Sequence, residues 1–138
     1  MANRRSFLKS GLIIAGGMAV GKASTTLANI GTLPNGIIYT ATNAGQWKKK
    51  IGSHAPKVSM EGKTVTILTP HPMSRKHYIV RHTLVADDGT VIGAKTFFPE
   101  DQKAISAYTL PDKPVKKLYA TSFCNKHDFW MTEVELSE

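Results

Sequence analysis

From Lys57 to the C-terminus, apolar positions recur in short runs separated by turn-forming residues. The runs are 63–69, 77–86, 91–98, 104–110, 116–123 and 129–136. Each is rich in Val, Ile, Thr, Tyr or Phe and bounded by Gly, Pro or Asp, which predicts β-strands. Within the first run Val65 and Ile67 alternate with Thr64 and Thr66, the period of a strand with one face buried. Asp87-Asp88-Gly89, between two such runs, predicts a hairpin. Ile37-Ile38-Tyr39 makes 36–41 a candidate edge strand. Past residue 28 no stretch sustains a capped helical apolar period, so no helix is expected there. Short strands at this spacing predict an all-β chain folded as an antiparallel β-sandwich of about seven strands.

The first 28 residues follow a different pattern. Asn3-Arg4-Arg5-Ser6-Phe7-Leu8-Lys9 matches the twin-arginine export signal, and an apolar, Gly/Ala-rich stretch runs from Gly11 to Val20. That stretch is too short for a spanning helix. Small residues predict cleavage after Ala23 or Ala28. The chain therefore divides into a twin-arginine signal segment (1–28), a polar lead-in (29–50) and a main domain (51–138). Export of this kind predicts a periplasmic location with no stable membrane anchor after cleavage. It also carries proteins already folded, which suits a cofactor loaded before export.

The segmentation changes the meaning of the charge. The formal net charge is +8, but residues 1–28 hold Arg4, Arg5, Lys9 and Lys22 and no acid. Without them 14 basic and 10 acidic side chains remain, a mild net +4. Such a surface can steer a small anion. No nucleic-acid motif accompanies it, so no nucleic-acid partner is expected.

Candidate chemistry sits in three clusters between the strands: Ser53-His54-Ala55-Pro56, Pro70-His71-Pro72-Met73-Ser74-Arg75-Lys76-His77-Tyr78-Ile79, and Cys124-Asn125-Lys126-His127. Cys124 is the only cysteine, so it forms no intramolecular disulfide and is a buried thiol, a crosslinker or a metal ligand. Pro70 and Pro72 restrict the backbone around His71. His77 is expected to open a strand. A tight turn lets Cys124 and His127 reach one ion. Imidazoles with one thiolate suit iron, copper, zinc or nickel. Counted by two from His77, His82 falls on the other strand face with Tyr78, Val80 and Leu84, and reads as a structural or surface histidine. Met73 reads as packing, and Lys48-Lys49-Lys50 as a solvated run. One rival is a cupredoxin-like blue-copper electron carrier, because Cys124-x-x-His127-x-x-x-Met131 is close to a copper loop. Hydrolytic zinc is disfavoured, since Asp128 is the sole acid by the motifs.

His71-Pro72-Met73-x-x-x-His77-Tyr78-Ile79 and Cys124-Asn125-x-His127 resemble the paired signature segments of the superoxide reductase family (neelaredoxin and the iron domain of desulfoferrodoxin). His54-x-Pro56, Phe97, Pro99 and Trp130 fit as well, and the resemblance covers roughly residues 45–135. It implies an immunoglobulin-like sandwich holding one iron (Fe2+/Fe3+). His54, His71, His77 and His127 would be equatorial ligands and Cys124 the axial one. It further implies one-electron reduction of superoxide to hydrogen peroxide. Electrons would come from an external donor protein, rubredoxin-like or a periplasmic cytochrome, since a lone cysteine leaves no second thiolate-held centre. Family members often self-associate, so a homo-oligomer is an expectation too. One departure stands out: the family usually has Glu-Lys directly before its first histidine, where this chain has Gly52-Ser53. The lysine's task of attracting the anion would then pass to Lys126, or to Lys48, Lys49 or Lys50. Cys124 and Lys126 are the candidate catalytic residues. The departure also leaves room for an iron electron carrier or sensor without reductase activity.

Overall fold

Val65 and Ile67 are wholly buried while Thr64 is exposed, as the alternation requires. In this computed structural model residues 33–137 are described; the expected signal segment, 1–28, lies outside them. The strands are β1 (Ile38–Tyr39), β2 (Lys57–Glu61), β3 (Thr64–Thr69), β4 (Ile79–Ala86), β5 (Val91–Thr96), β6 (Ala104–Thr109), β7 (Lys117–Cys124) and β8 (Asp128–Glu135). A five-stranded sheet has the order β1-β8-β7-β4-β5, and a three-stranded sheet the order β2-β3-β6. Leaving out β1, these orders are the G-F-C-C′ and A-B-E arrangements of an immunoglobulin-like sandwich. All pairings are antiparallel except β1 with β8, which is parallel.

Two elements depart from the sequence expectation. Strand β2 was hidden because it is an edge strand exposed along nearly all its length, with no apolar alternation to display. It joins β3 through the two-residue turn Gly62-Lys63, where Gly62 takes φ 57°. Glycine at the first turn position is the requirement of a type II′ hairpin. The second departure is helical: a 3-10 segment, Gly45–Lys50, leads into a single α turn, α1 (Ile51–His54). Neither has a side-chain cap, and both are too short to show a period. Tertiary packing holds them instead, with Trp47, Ile51 and Ala55 set against buried Tyr39, Ala44 and Trp130. Gly45, at φ 49°, lies so close to Tyr39 that an added Cβ would meet the ring at 3.1 Å.

The sandwich interior holds two apolar clusters. Val65, Ile67, Leu84, Leu118 and Ala120 fill one. Ile79, Phe97, Ala104 and Cys124 form the other, with Met73 packed against it. A bulge in β4 between Ile79 and Arg81 shifts its phase, so Ile79 and His82 both point inward. His82 therefore shares a face with Leu84 but not with Tyr78 or Val80, and it is fully buried. Among the described residues no helix is long and apolar enough to cross a membrane.

Candidate metal centre

His54 closes α1. The Ala55 N–H donates to the Ile51 carbonyl at 3.0 Å, and Pro56 forces Ala55 into extended backbone, so the helix stops directly after the histidine. The expected loop is thus one helical turn followed by a proline stop. His54 Nδ1 lies 3.2 Å from the Lys50 carbonyl and 2.8 Å from Ser53 Oγ. A carbonyl only accepts, so Nδ1 carries the proton and Nε2 keeps its lone pair.

His71 follows β3 through a tight turn at Pro70, in which its N–H donates to the Thr69 carbonyl at 2.8 Å. His77 lies two residues before β4 rather than opening it. A turn anchors it, with its N–H donating to Ser74 O and its carbonyl accepting from Ser74 N–H and Oγ. Cys124 ends β7, and His127 sits in the three-residue loop leading to β8. Asp128, which opens β8, takes φ 68°, a left-handed conformation usually left to glycine. Its carboxylate accepts from Trp47 Nε1 at 3.0 Å, and the Trp47 ring meets His127 edge-on at 4.7 Å. Asn125 ties the two ligand loops together: Oδ1 accepts from Tyr78 N–H and Nδ2 donates to Lys76 O.

These local devices bring five donor atoms within 4.8 Å of one another, from His54, His71, His77, Cys124 and His127. The rings form a closed circuit. Neighbouring centroids are 4.5 Å apart for His54–His71, 4.3 Å for His71–His77, 4.6 Å for His77–His127 and 4.8 Å for His127–His54. Across the circuit His54 and His77 are 5.9 Å apart. Three edges of the nitrogen set measure 3.0, 2.9 and 3.0 Å, and Cys124 Sγ lies 3.2 Å from His77 Nε2 and 3.7 Å from His127 Nδ1. His77 Nε2 and His127 Nδ1 each face three partners. One ring nitrogen has a single in-plane proton or lone pair, so hydrogen bonding cannot account for that convergence. An ion does: imidazole nitrogens about 2.1 Å from a common centre and set on a square lie about 3.0 Å apart.

Burial, reinforced by the neighbouring His71 and His127 rings, lowers His54 to about 4. His77 is lowered to about 4 by burial and then by His71, His127, Lys126 and Lys50. Burial also pushes His71 and His127 down, and Lys50 adds to both shifts. All four rings are therefore neutral near pH 7, the state that binds metal. His71 Nδ1 is buried without a hydrogen bond of good geometry, although the Pro72 backbone nearby favours its protonated form. His77 and His127 are partly exposed, and there the cluster meets solvent.

Several candidates fall outside the cluster. His82 is remote from it in bonding, and Met73 packs on the apolar cluster, as expected. Met131 follows inward-facing Trp130 in β8 and lines an outer cleft with Thr40, Ala41 and Thr42. The blue-copper reading thereby loses its axial sulfur. Among the described residues no carboxylate joins the five donors, and the set exceeds the four of a closed zinc site. Lys126 is exposed at the loop tip. Lys50 is the cation of the 48–50 run that acts on three of the rings. Its helical position four before His54 is a signal that a loop reading hid. Ser53 turns its hydroxyl to the Lys50 carbonyl and His54, and a Cβ added at Gly52 would meet nothing within 4 Å.

The desulfoferrodoxin family model matches residues 44–133. No curated protein matches the chain. Among solved structures, a superoxide reductase (neelaredoxin) from Ignicoccus hospitalis is 28% identical with a TM-score of 0.64, covering 73% of this chain and 94% of that one. The superoxide reductase (1Fe-SOR) from Giardia intestinalis is 26% identical, with a TM-score of 0.57 and coverage of 61% and 98%. A variant neelaredoxin from Archaeoglobus fulgidus in the reduced form is 25% identical, with a TM-score of 0.54 and coverage of 67% and 94%. The family match takes in all five converging donors, and the chain belongs to the desulfoferrodoxin family.

Proposed function

We propose that the protein is a periplasmic superoxide reductase that adds one electron and two protons to superoxide and releases hydrogen peroxide. The observation that carries this reading is the convergence of four imidazoles and one cysteine sulfur within 4.8 Å. His54, His71, His77, His127 and Cys124 would hold an iron, which when bound supplies the single electron. The rings are held neutral by burial, so they bind without competition from protons near pH 7. The buried Cys124 would supply the ion with a charge-donating thiolate ligand. Lys50 and Lys126 set positive charge beside the rings, which attracts a small anion. The partly exposed edge at His77 and His127 admits solvent protons.

The chain's one cysteine belongs to this set, so the electron comes from a separate donor, a rubredoxin-like protein or a cytochrome. Arg4-Arg5 and the apolar stretch after it support the periplasmic assignment. The test is metal content and electron paramagnetic resonance on oxidised, natively exported protein. One iron per chain with a high-spin ferric signal is the expected result. A cupric signal with little iron overturns the reading. Cys124→Ser should retain some iron and lose most turnover; unchanged peroxide formation would remove Cys124 from its assigned role. Replacing Lys50 and Lys126 together with Ala should lower kcat/KM for superoxide by about tenfold and flatten its dependence on ionic strength.

A further inference from the structure

Behind the five donors the core changes character in four strands at once. Along β3, Val65 and Ile67 give way to Thr69; along β7, Leu118 and Ala120 give way to Ser122. Read toward the donors, Leu84 of β4 is followed by His82, and in β6 Ser106 precedes Ala104. Thr69, His82, Ser106 and Ser122 thus form a buried polar layer between the two apolar clusters.

The layer is fully paired. Thr69 Oγ1 lies 2.8 Å from His82 Nε2 and 2.7 Å from Ser122 Oγ, and His82 Nδ1 lies 2.8 Å from Ser106 Oγ. The Phe97 ring covers His82 edge-on at 4.8 Å. Thr69 and Ser106 belong to the three-stranded sheet, His82 and Ser122 to the five-stranded one. All three hydrogen bonds therefore cross between the sheets. Apolar contacts there are non-directional and tolerate sliding, whereas hydrogen bonds fix a register.

The donors divide in the same way. His71 follows β3, two residues past Thr69, whose carbonyl accepts the His71 N–H. Cys124 lies two residues past Ser122 on the same inward face of β7. We infer that the Thr69–His82–Ser106–Ser122 layer is a positioning network, which locks the two sheets in the register that brings His71 to His77 and Cys124. This rests on the metal-centre reading above.

The test compares a four-site apolar variant (His82→Leu with Thr69→Val, Ser106→Ala and Ser122→Ala) with His82→Gln, which keeps hydrogen-bonding groups, and with Thr69→Val alone. Removing every partner leaves no member of the layer orphaned, so the four-site variant should melt at or above the wild-type temperature without metal. Titration with Co2+, read from the thiolate charge-transfer absorbance, should still reach one ion per chain. The affinity should fall by about tenfold or more, the scale of losses outside the ligand set, with a shifted absorption band. His82→Gln should stay within about threefold of wild type. Thr69→Val, which breaks the two bonds of the hub, should weaken Co2+ binding about tenfold even if the four-site variant does not fold. Wild-type affinity and spectrum in either apolar variant would overturn the inference and leave the metal centre standing. Absence of a thiolate–cobalt band in the wild type would overturn both.

Discussion

His54 and His82 look alike by the usual measures. Each is 2% exposed or less, and burial lowers each to about 4. They differ in how their nitrogens are used. His82 engages both, with Thr69 and Ser106, and nothing is left over. His54 engages only Nδ1, with Lys50 and Ser53, and its Nε2 points at three other rings and a sulfur. Burial and a depressed pKa thus fail to separate a ligand from a core histidine here. The count of satisfied ring nitrogens does separate them.

The largest effect that would break this contrast is on metal affinity. His54→Ala should weaken Co2+ or Fe2+ binding by more than about 100-fold, beyond what losses outside the ligand set cost. Affinity within tenfold of wild type, measured by competition with a chelator, would make His54 another His82.

Acid titration of the metal-free protein sharpens the comparison. His82 is neutral in the fold, and its ordinary value is 6.5. Below 6.5 the unfolded chain takes up a proton that the folded chain refuses. The stability associated with the neutral ring is therefore complete above 6.5 and declines as pH falls toward 4. One such ring contributes about 3 kcal/mol across that window. Urea unfolding at a series of pH values should show a shallower decline in His82→Leu than in the parent. Metal loading should steepen the remaining part that comes from His54 and His77 and extend it below pH 4, since ligation keeps those rings unprotonated in the fold while the unfolded chain still takes up protons. Identical slopes in parent and variant would show that His82 does not titrate with folding.

The smallest effect concerns Ser53. Its hydroxyl is one of two contacts to His54 Nδ1, and the Lys50 carbonyl remains without it. Ser53→Ala should reduce metal affinity by less than about threefold, below the roughly tenfold at which losses outside the ligand set usually begin, because the Lys50 carbonyl still holds the Nδ1 proton. A larger drop would mean that the hydroxyl, and not the carbonyl, fixes the proton on Nδ1.

Much of this site was legible in the chain because its donors come from local motifs. Pro70-His71-Pro72 and Cys124-Asn125-x-His127 are short segments whose backbone is set by proline and by a hairpin. The strand runs were legible wherever one face is buried, as with Val65 and Ile67. Where burial does not alternate, the pattern carried no signal. Strand β2 is exposed on both sides, and the helical turn bearing His54 is held by Trp47 and Ile51 docking on Tyr39 and Trp130, distant in sequence. His82 fell between these cases. Its inward aim follows from the bulge after Ile79, and a count by two has no means of registering an extra residue.

The donors also differ in how far apart they stand along the chain. His71 and His77 are six residues apart and Cys124 and His127 three, yet His127 and His54 are 73 residues apart and meet at 3.0 Å. A growing or refolding chain can offer an ion the two local pairs early. The complete set forms only after the last hairpin has closed onto the first helical turn, the slowest kind of contact to make. Five-fold ligation is therefore a completion signal for folding, and a late change in the cobalt ligand-field bands as His54 joins, after the thiolate band has risen, would time the final step of assembly.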